Sequence, residues 1–218
     1  MSGSLLSSLL VAVMLLNFYC AGTSRLRALV QAVSLQGVLL GLLPLFAHSH
    51  LETWPVLMAC ATIALKGVVI PMLVLRTLRR LSIKREVEPL VGFVASLVIT
   101  AIGTALAIGL ARKLPLVADA NASHAHLVVA ASLATVFTGF FLLVSRLKAV
   151  TQVVGYLVLE NGVFIFGMLL VEATPMFVEL GILLDLVAGI VVMGILIGHI
   201  SREFPSADAE RLSALKEE

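Results

Sequence analysis

Seven apolar runs, each long enough to cross a bilayer, are separated by short polar connections and set the first limit on what this chain can fold into. A helix needs about 20 predominantly apolar residues to traverse a hydrocarbon core of roughly 30 Å. Runs at 4–22, 28–47, 54–75, 89–111, 124–145, 150–171 and 176–199 meet that length. Between them lie TSRLR, HSHLET, RTLRRLSIKREVE, RKLPLVADANASH, SRLK and EATP. Little is left outside the bilayer to build a soluble domain. Composition agrees: 60% of the 218 residues are hydrophobic and 13% charged, where a soluble domain carries about 25% charged residues. The mean hydropathy is +1.11. The expected fold is all-α, a polytopic membrane bundle of seven transmembrane helices.

The first run has no Lys or Arg ahead of its apolar stretch, and NFYC at 17–20 lacks the small residues of a cleavage or lipidation point. It reads as a retained helix. Cys20 and Cys60 fall in or at the end of apolar runs without CxxC spacing, which argues against a metal or cluster site. His48, His50, His124 and His126 lie in connections or at span ends, as solvated interfacial residues do. No metal and no cofactor are expected in this chain.

Lys and Arg in the connections set the orientation. Those after the first, third and fifth spans carry two, five and two basic residues and the tail three, against two on the other side. By the positive-inside rule the richer side is cytoplasmic, so the N-terminus is expected outside and the C-terminus inside. The arginine runs are then explained by topology and lipid headgroups, with no nucleic acid implied.

Against this background, ionisable residues at mid-membrane depth are costly, by at least about 2.5–3.5 kcal/mol each, and functional by default. Three stand out: Lys66 in IALKGVVIP, Glu160 in GYLVLENG and Asp185 in VELGILLDLVAG. At 1.5 Å per residue they lie about 13–18 Å from the outer ends of their spans, at depths within roughly 5 Å of one another. One reading is a structural ion pair between Lys66 and a carboxylate, although such a pair is weak support for stability. The other is proton handling. A low-dielectric site favours the neutral acid and a nearby ammonium favours the anion, so moving the Lys would load or release a proton. With one cation against two carboxylates, one acid must be protonated, hydrated or paired with another subunit.

The helices carrying these groups are rich in glycine: Gly155 and Gly162 on the sixth span, and Gly181, Gly189, Gly194 and Gly198 on the seventh. Such positions allow close helix packing in a membrane. Pro71 removes a backbone donor near Gly67 and is a candidate kink beside Lys66.

Taken together, ALKGVVIP, VVGYLVLENG, PMFVELGILLDLVAGIVVM and RLSALK resemble hydrogenase-4 component E, the small membrane subunit of formate hydrogenlyase type group 4 nickel-iron hydrogenases. The resemblance spans nearly the whole chain. Residues 123–200 are also similar to the three-helix K-type subunit of respiratory complex I and the C-type subunit of multisubunit cation/proton antiporters, with Glu160 and Asp185 at the matching acidic positions. In the complex I subunit the Glu stands one turn earlier and the third-helix acid is Glu rather than Asp. The resemblance implies an N-terminal four-helix part over 1–122, the K-type part over 123–200 and a short cytoplasmic tail over 201–218.

It further implies a multi-pass subunit of a redox-coupled complex in a prokaryotic cytoplasmic membrane. Its partners would be antiporter-like subunits, the hydrogenase membrane anchor and lipid. The hydrogenase chemistry would sit on other subunits, so this chain would be a non-catalytic member of a redox enzyme. Its buried groups would contribute to a proton-translocation or coupling pathway. An antiporter subunit without redox partners, or a docking subunit whose charges only hold neighbours, are the alternatives.

Overall fold

The computed structural model describes residues 2–47, 53–80, 90–114 and 122–167. Every element in those residues is helical: α1 (Ser2–Gly22), α2 (Leu26–Ala47), α3 (Thr53–Thr62), a π-helical segment (Ile63–Val69), α4 (Ile70–Arg80), α5 (Phe93–Lys113), α6 (Ala122–Ser145) and α7 (Ala149–Gly167). α3, the π segment and α4 follow one another without a break. Six stretches are long and apolar enough to cross a membrane: Gly3–Gly22, Leu26–Leu43, Ala59–Arg76, Phe93–Lys113, Ala125–Ser145 and Val150–Gly167. They correspond to the first six expected spans. The seventh, at 176–199, lies outside the described residues, and with it Asp185, Gly181, Gly189, Gly194 and Gly198.

α5 shows why this is a membrane fold. Val94, Val98, Ile102, Leu106 and Leu110, four residues apart along one face, are all exposed. Its buried face is Ser96, Thr100, Gly103, Thr104, Ala107 and Ala111. In water this helix would be inside out. In lipid, tails solvate large aliphatic side chains as well as a core does, and helices pack through small residues. The Thr100 hydroxyl turns back to Ser96 O at 2.8 Å, so that polar atom needs no partner from another helix.

α6 packs against α1, α5 and most extensively α7, while α2 packs against α1, α7 and the third span. Glycine permits the closest of these approaches. On α7, a Cβ at Gly155 would meet Leu143 N at 2.7 Å and one at Gly162 would meet Val136 N at 2.5 Å. A Cβ at Gly139 of α6 would collide with the backbone of Leu159. Three apolar clusters lie among the described residues, the smallest around Ala111, Val129 and Ala130, and two larger ones fill the bundle. One includes Leu29, Val33, Ile70, Val74, Val154 and Leu157, and the other joins Leu10, Val13, Leu40, Leu43, Val128 and Ile165.

Arg146, in the connection between α6 and α7, ties helix ends together. It is 1% exposed, its Nη2 donates to Ala21 O at the end of α1 at 2.8 Å, and its guanidinium lies 5.4 Å from the Phe93 ring at the start of α5. Burial of the cation pushes its pKa below the ordinary arginine value. The Ala21 carbonyl is one of the acceptors a helix C-terminus leaves open, so a cation suits it.

Candidate functional site

Lys66 lies in the π segment, near the middle of the third span, and the local backbone explains its placement. An α-helix would pair Gly67 O with the N–H of residue 71, but Pro71 has none. Ser34 of α2 supplies the missing donor, its Oγ lying 2.5 Å from Gly67 O. The wider π turn spans the same residues, a geometry frequent at functional sites. Two glycines bring α2 against it. A Cβ at Gly37 would lie 2.8 Å from the backbone and Cβ of Lys66, and one at Gly67 would lie 2.7 Å from Val38 Cγ2.

Across from this segment, α7 presents Glu160. Lys66 Nζ and Glu160 Oε1 are 2.9 Å apart, with side chains 5% and 3% exposed. The Lys66 ammonium also lies 4.8 Å from the centroid of Phe164, one turn along α7. That adds a cation–π contact, which strengthens when desolvated. Beside the pair is a cavity of about 10 Å³ lined by Val33, Lys66, Ile70, Leu157, Glu160 and Asn161. It approaches the minimum that holds one water, and although Val33, Ile70 and Leu157 make its walls mostly apolar, Lys66, Glu160 and Asn161 offer polar partners.

Next to the pair runs a chain of buried amides contributed by α7, α2, α1 and α6. Asn161 Nδ2 donates to Gln36 Oε1 at 3.4 Å. Gln36 Nε2 donates to Asn17 Oδ1 at 2.8 Å and to Val13 O at 3.3 Å. Asn17 Nδ2 donates to Thr135 Oγ1 at 2.9 Å, and the Thr135 hydroxyl donates to Ala131 O at 2.7 Å. Gln36, Asn17 and Thr135 are fully buried, and Asn161 is 3% exposed. On the other side of α7, the Ser132 hydroxyl donates to Gly162 O at 2.9 Å and braces the helix next to Glu160.

The structure therefore places two of the three expected ionisable residues, Lys66 and Glu160, in one contact. The third, Asp185, is outside the described residues. Gly155 and Gly162 sit at the α6–α7 contact. The amide chain, Ser34, Gly37 and Gly41, where a Cβ would run into Ile63 of the π segment, are not among the expected site residues. The visible signals for them are neutral amides at mid-span and the GVLLG spacing at 37–41.

Chemically, a lysine and a carboxylate at this distance have two proton arrangements, ammonium with carboxylate and amine with acid. In a poorly solvated site the ionised form loses much of its advantage over the neutral one. Among the described residues no group of three His, Cys, Asp or Glu side chains is placed to hold a metal.

No known family profile matches the chain, and no solved structure does. An 88-residue stretch is 33% identical to hydrogenase-4 component E of Escherichia coli (strain K12), covering 40% of this chain and 41% of that protein. The same values hold for hydrogenase-4 component E of Shigella flexneri. That is a shorter match than the near full-length resemblance read from the motifs. Over 194 residues, the chain is 32% identical to the Mycobacterium tuberculosis protein described as uncharacterized protein Rv0085, covering 88% of this chain and 87% of that one. This helical membrane protein, with six candidate spans and a buried lysine and glutamate pair among its described residues, therefore belongs to the family that includes Rv0085.

Proposed function

We propose that the chain is a membrane subunit of a multisubunit, redox-coupled complex of the hydrogenase or complex I-like type, in a prokaryotic cytoplasmic membrane. In it, Lys66 and Glu160 form a proton-handling step, with Asp185 as a further station. The observation that carries the reading is the 2.9 Å contact between two ionisable groups in the interior of apolar spans, beside a cavity of about 10 Å³. Ionisable residues at that depth mark ion pathways by default. Partial similarity to hydrogenase-4 component E supports the redox setting. The arginine-rich connections face the cytoplasm in this proposal, with the N-terminus outside. The partners are the antiporter-like and anchor subunits such a complex contains, and the redox chemistry stays with other subunits. The ion contact itself also favours a second reading, a docking pair that only holds helices.

Glu160→Gln separates the two. Gln is nearly isosteric and keeps hydrogen bonding but cannot cycle a proton. On the proton-handling reading, coupled turnover falls by about 100-fold, the low end for a positioned proton-transfer group, while the complex still assembles. Glu160→Asp gives an intermediate loss, and Asp185→Asn parallels Glu160→Gln. Proton-gradient formation in vesicles, alongside blue-native electrophoresis, is the measurement. Full gradient formation in Glu160→Gln sinks the reading.

A further inference from the structure

The direction of the amide chain is fixed by two groups that can only accept hydrogen bonds, the backbone carbonyls of Val13 and Ala131. Val13 O requires Gln36 to turn its NH2 toward α1. Gln36 must then offer Oε1 to α7, and Asn161 must answer with its own NH2. From the other end, the Thr135 hydroxyl is committed to Ala131 O. Asn17 therefore gives Thr135 its NH2 and turns Oδ1 to Gln36. All four side chains donate in the same sense, and bonds so aligned polarise one another. What remains of Asn161, which lines the cavity beside Lys66 and Glu160, is its Oδ1 acceptor and the second N–H of its amide.

We propose that Gln36, oriented by Val13 O, is a positioning residue that holds Asn161 Oδ1 as an acceptor for the group carrying the proton at this site, either the protonated carboxyl of Glu160 or a water in the cavity. An amide left to rotate would present NH2 as readily, which favours the carboxylate. Held by Gln36, it keeps its NH2 toward α2 and its oxygen free to turn to the site, which favours the proton-loaded state. No proton passes through the amides. They set which protonation state the site prefers. Among the described residues, Lys66 is the charged group facing Glu160 from a neighbouring element. Arg27 is near the start of α2, and His124 and His126 are near the start of α6, with His126 Nδ1 held 2.7 Å from Ala111 O.

The inference rests on the proton-handling reading, and the pH profile of coupled turnover in the purified complex tests it. Gln36→Leu and the more flexible Gln36→Met should move the alkaline limb of that profile to lower pH by about one unit or less, the scale of one net hydrogen bond to the neutral form. Asn161→Leu should move it as far or further. Asn17→Leu should move it little, because Val13 O still orients Gln36. A scaffold role predicts otherwise. Both fully buried amides would then reduce the amount of assembled complex alike, and the profile of what assembles would keep its wild-type position. That result overturns the inference, as does loss of assembly in both Gln36 variants. Glu160→Gln is run in parallel. Wild-type turnover there removes the proton-handling reading itself, whereas impaired Glu160→Gln with unshifted Gln36 variants removes only the positioning role.

Discussion

A lysine and a glutamate buried together invite the question of whether their charges or their protons matter, and Lys66→Met addresses it. Methionine keeps an unbranched stem of similar length against Phe164 and the π segment while deleting the ammonium. Removing one partner of a buried pair costs about 3–5 kcal/mol when the other charge stays ionised. Glu160 can avoid that cost by taking up a proton, so the expected outcome is an assembled complex with sharply reduced coupled turnover. Loss of the complex on blue-native gels would instead mark a docking pair. The double variant Lys66→Met/Glu160→Gln should be little worse than the worse single one, since both changes disable one step. This pair is legible in the sequence because a charge inside IALKGVVIP or GYLVLENG has no inexpensive structural excuse. Asn17, Gln36 and Asn161 are not conspicuous in the same way. A neutral amide costs less in an apolar run, and nothing in a linear sequence shows that α1, α2, α6 and α7 bring these groups into one chain.

At the level of helices, the backbone approach between α2 and the π segment decides where Lys66 stands. Gly37→Ala places a methyl 2.8 Å from the Lys66 backbone, and backbone cannot swing aside as a side-chain tip can. Overpacking of this kind costs about 1–3 kcal/mol, and here it also draws Lys66 from Glu160. Gly109 of α5 is the matched control, because a Cβ there meets nothing within 4 Å. Gly109→Ala should be neutral, or stabilising by up to about 1 kcal/mol from helix propensity. Thermal denaturation of the purified complex in detergent should rank Gly37→Ala below wild type and Gly109→Ala at or above it. Six of the seven expected spans coincide with helices because length and hydropathy alone define a span. The π segment was less accessible. Pro71 marks the missing donor at Gly67, but that Ser34 reaches across from α2 to bond that carbonyl is a tertiary fact no linear sequence shows.

For the whole molecule, orientation is the property that a labelling experiment can fix directly. Ser24, exposed in the connection between α1 and α2, lies on the side richer in Lys and Arg. In Ser24→Cys a membrane-impermeant maleimide should react in inverted vesicles and not in intact cells. Reaction in intact cells would place the N-terminus inside. Cys20 is buried, but Cys60 is exposed near the start of the third span, so the label is read in a Cys60→Ser background. The inside-out pattern of α5 has its own consequence for how such chains diverge. Exchanges among Val, Leu, Ile and Phe along Val94, Val98, Ile102, Leu106 and Leu110 keep the same surface toward lipid. A change of Gly103 to Ala, almost invisible in a hydropathy profile, would drive a methyl into the Phe137 ring. Lineages descended from one such ancestor can thus lose most identities on the faces that make them membrane-soluble, while the few small residues that set helix spacing have nowhere to drift.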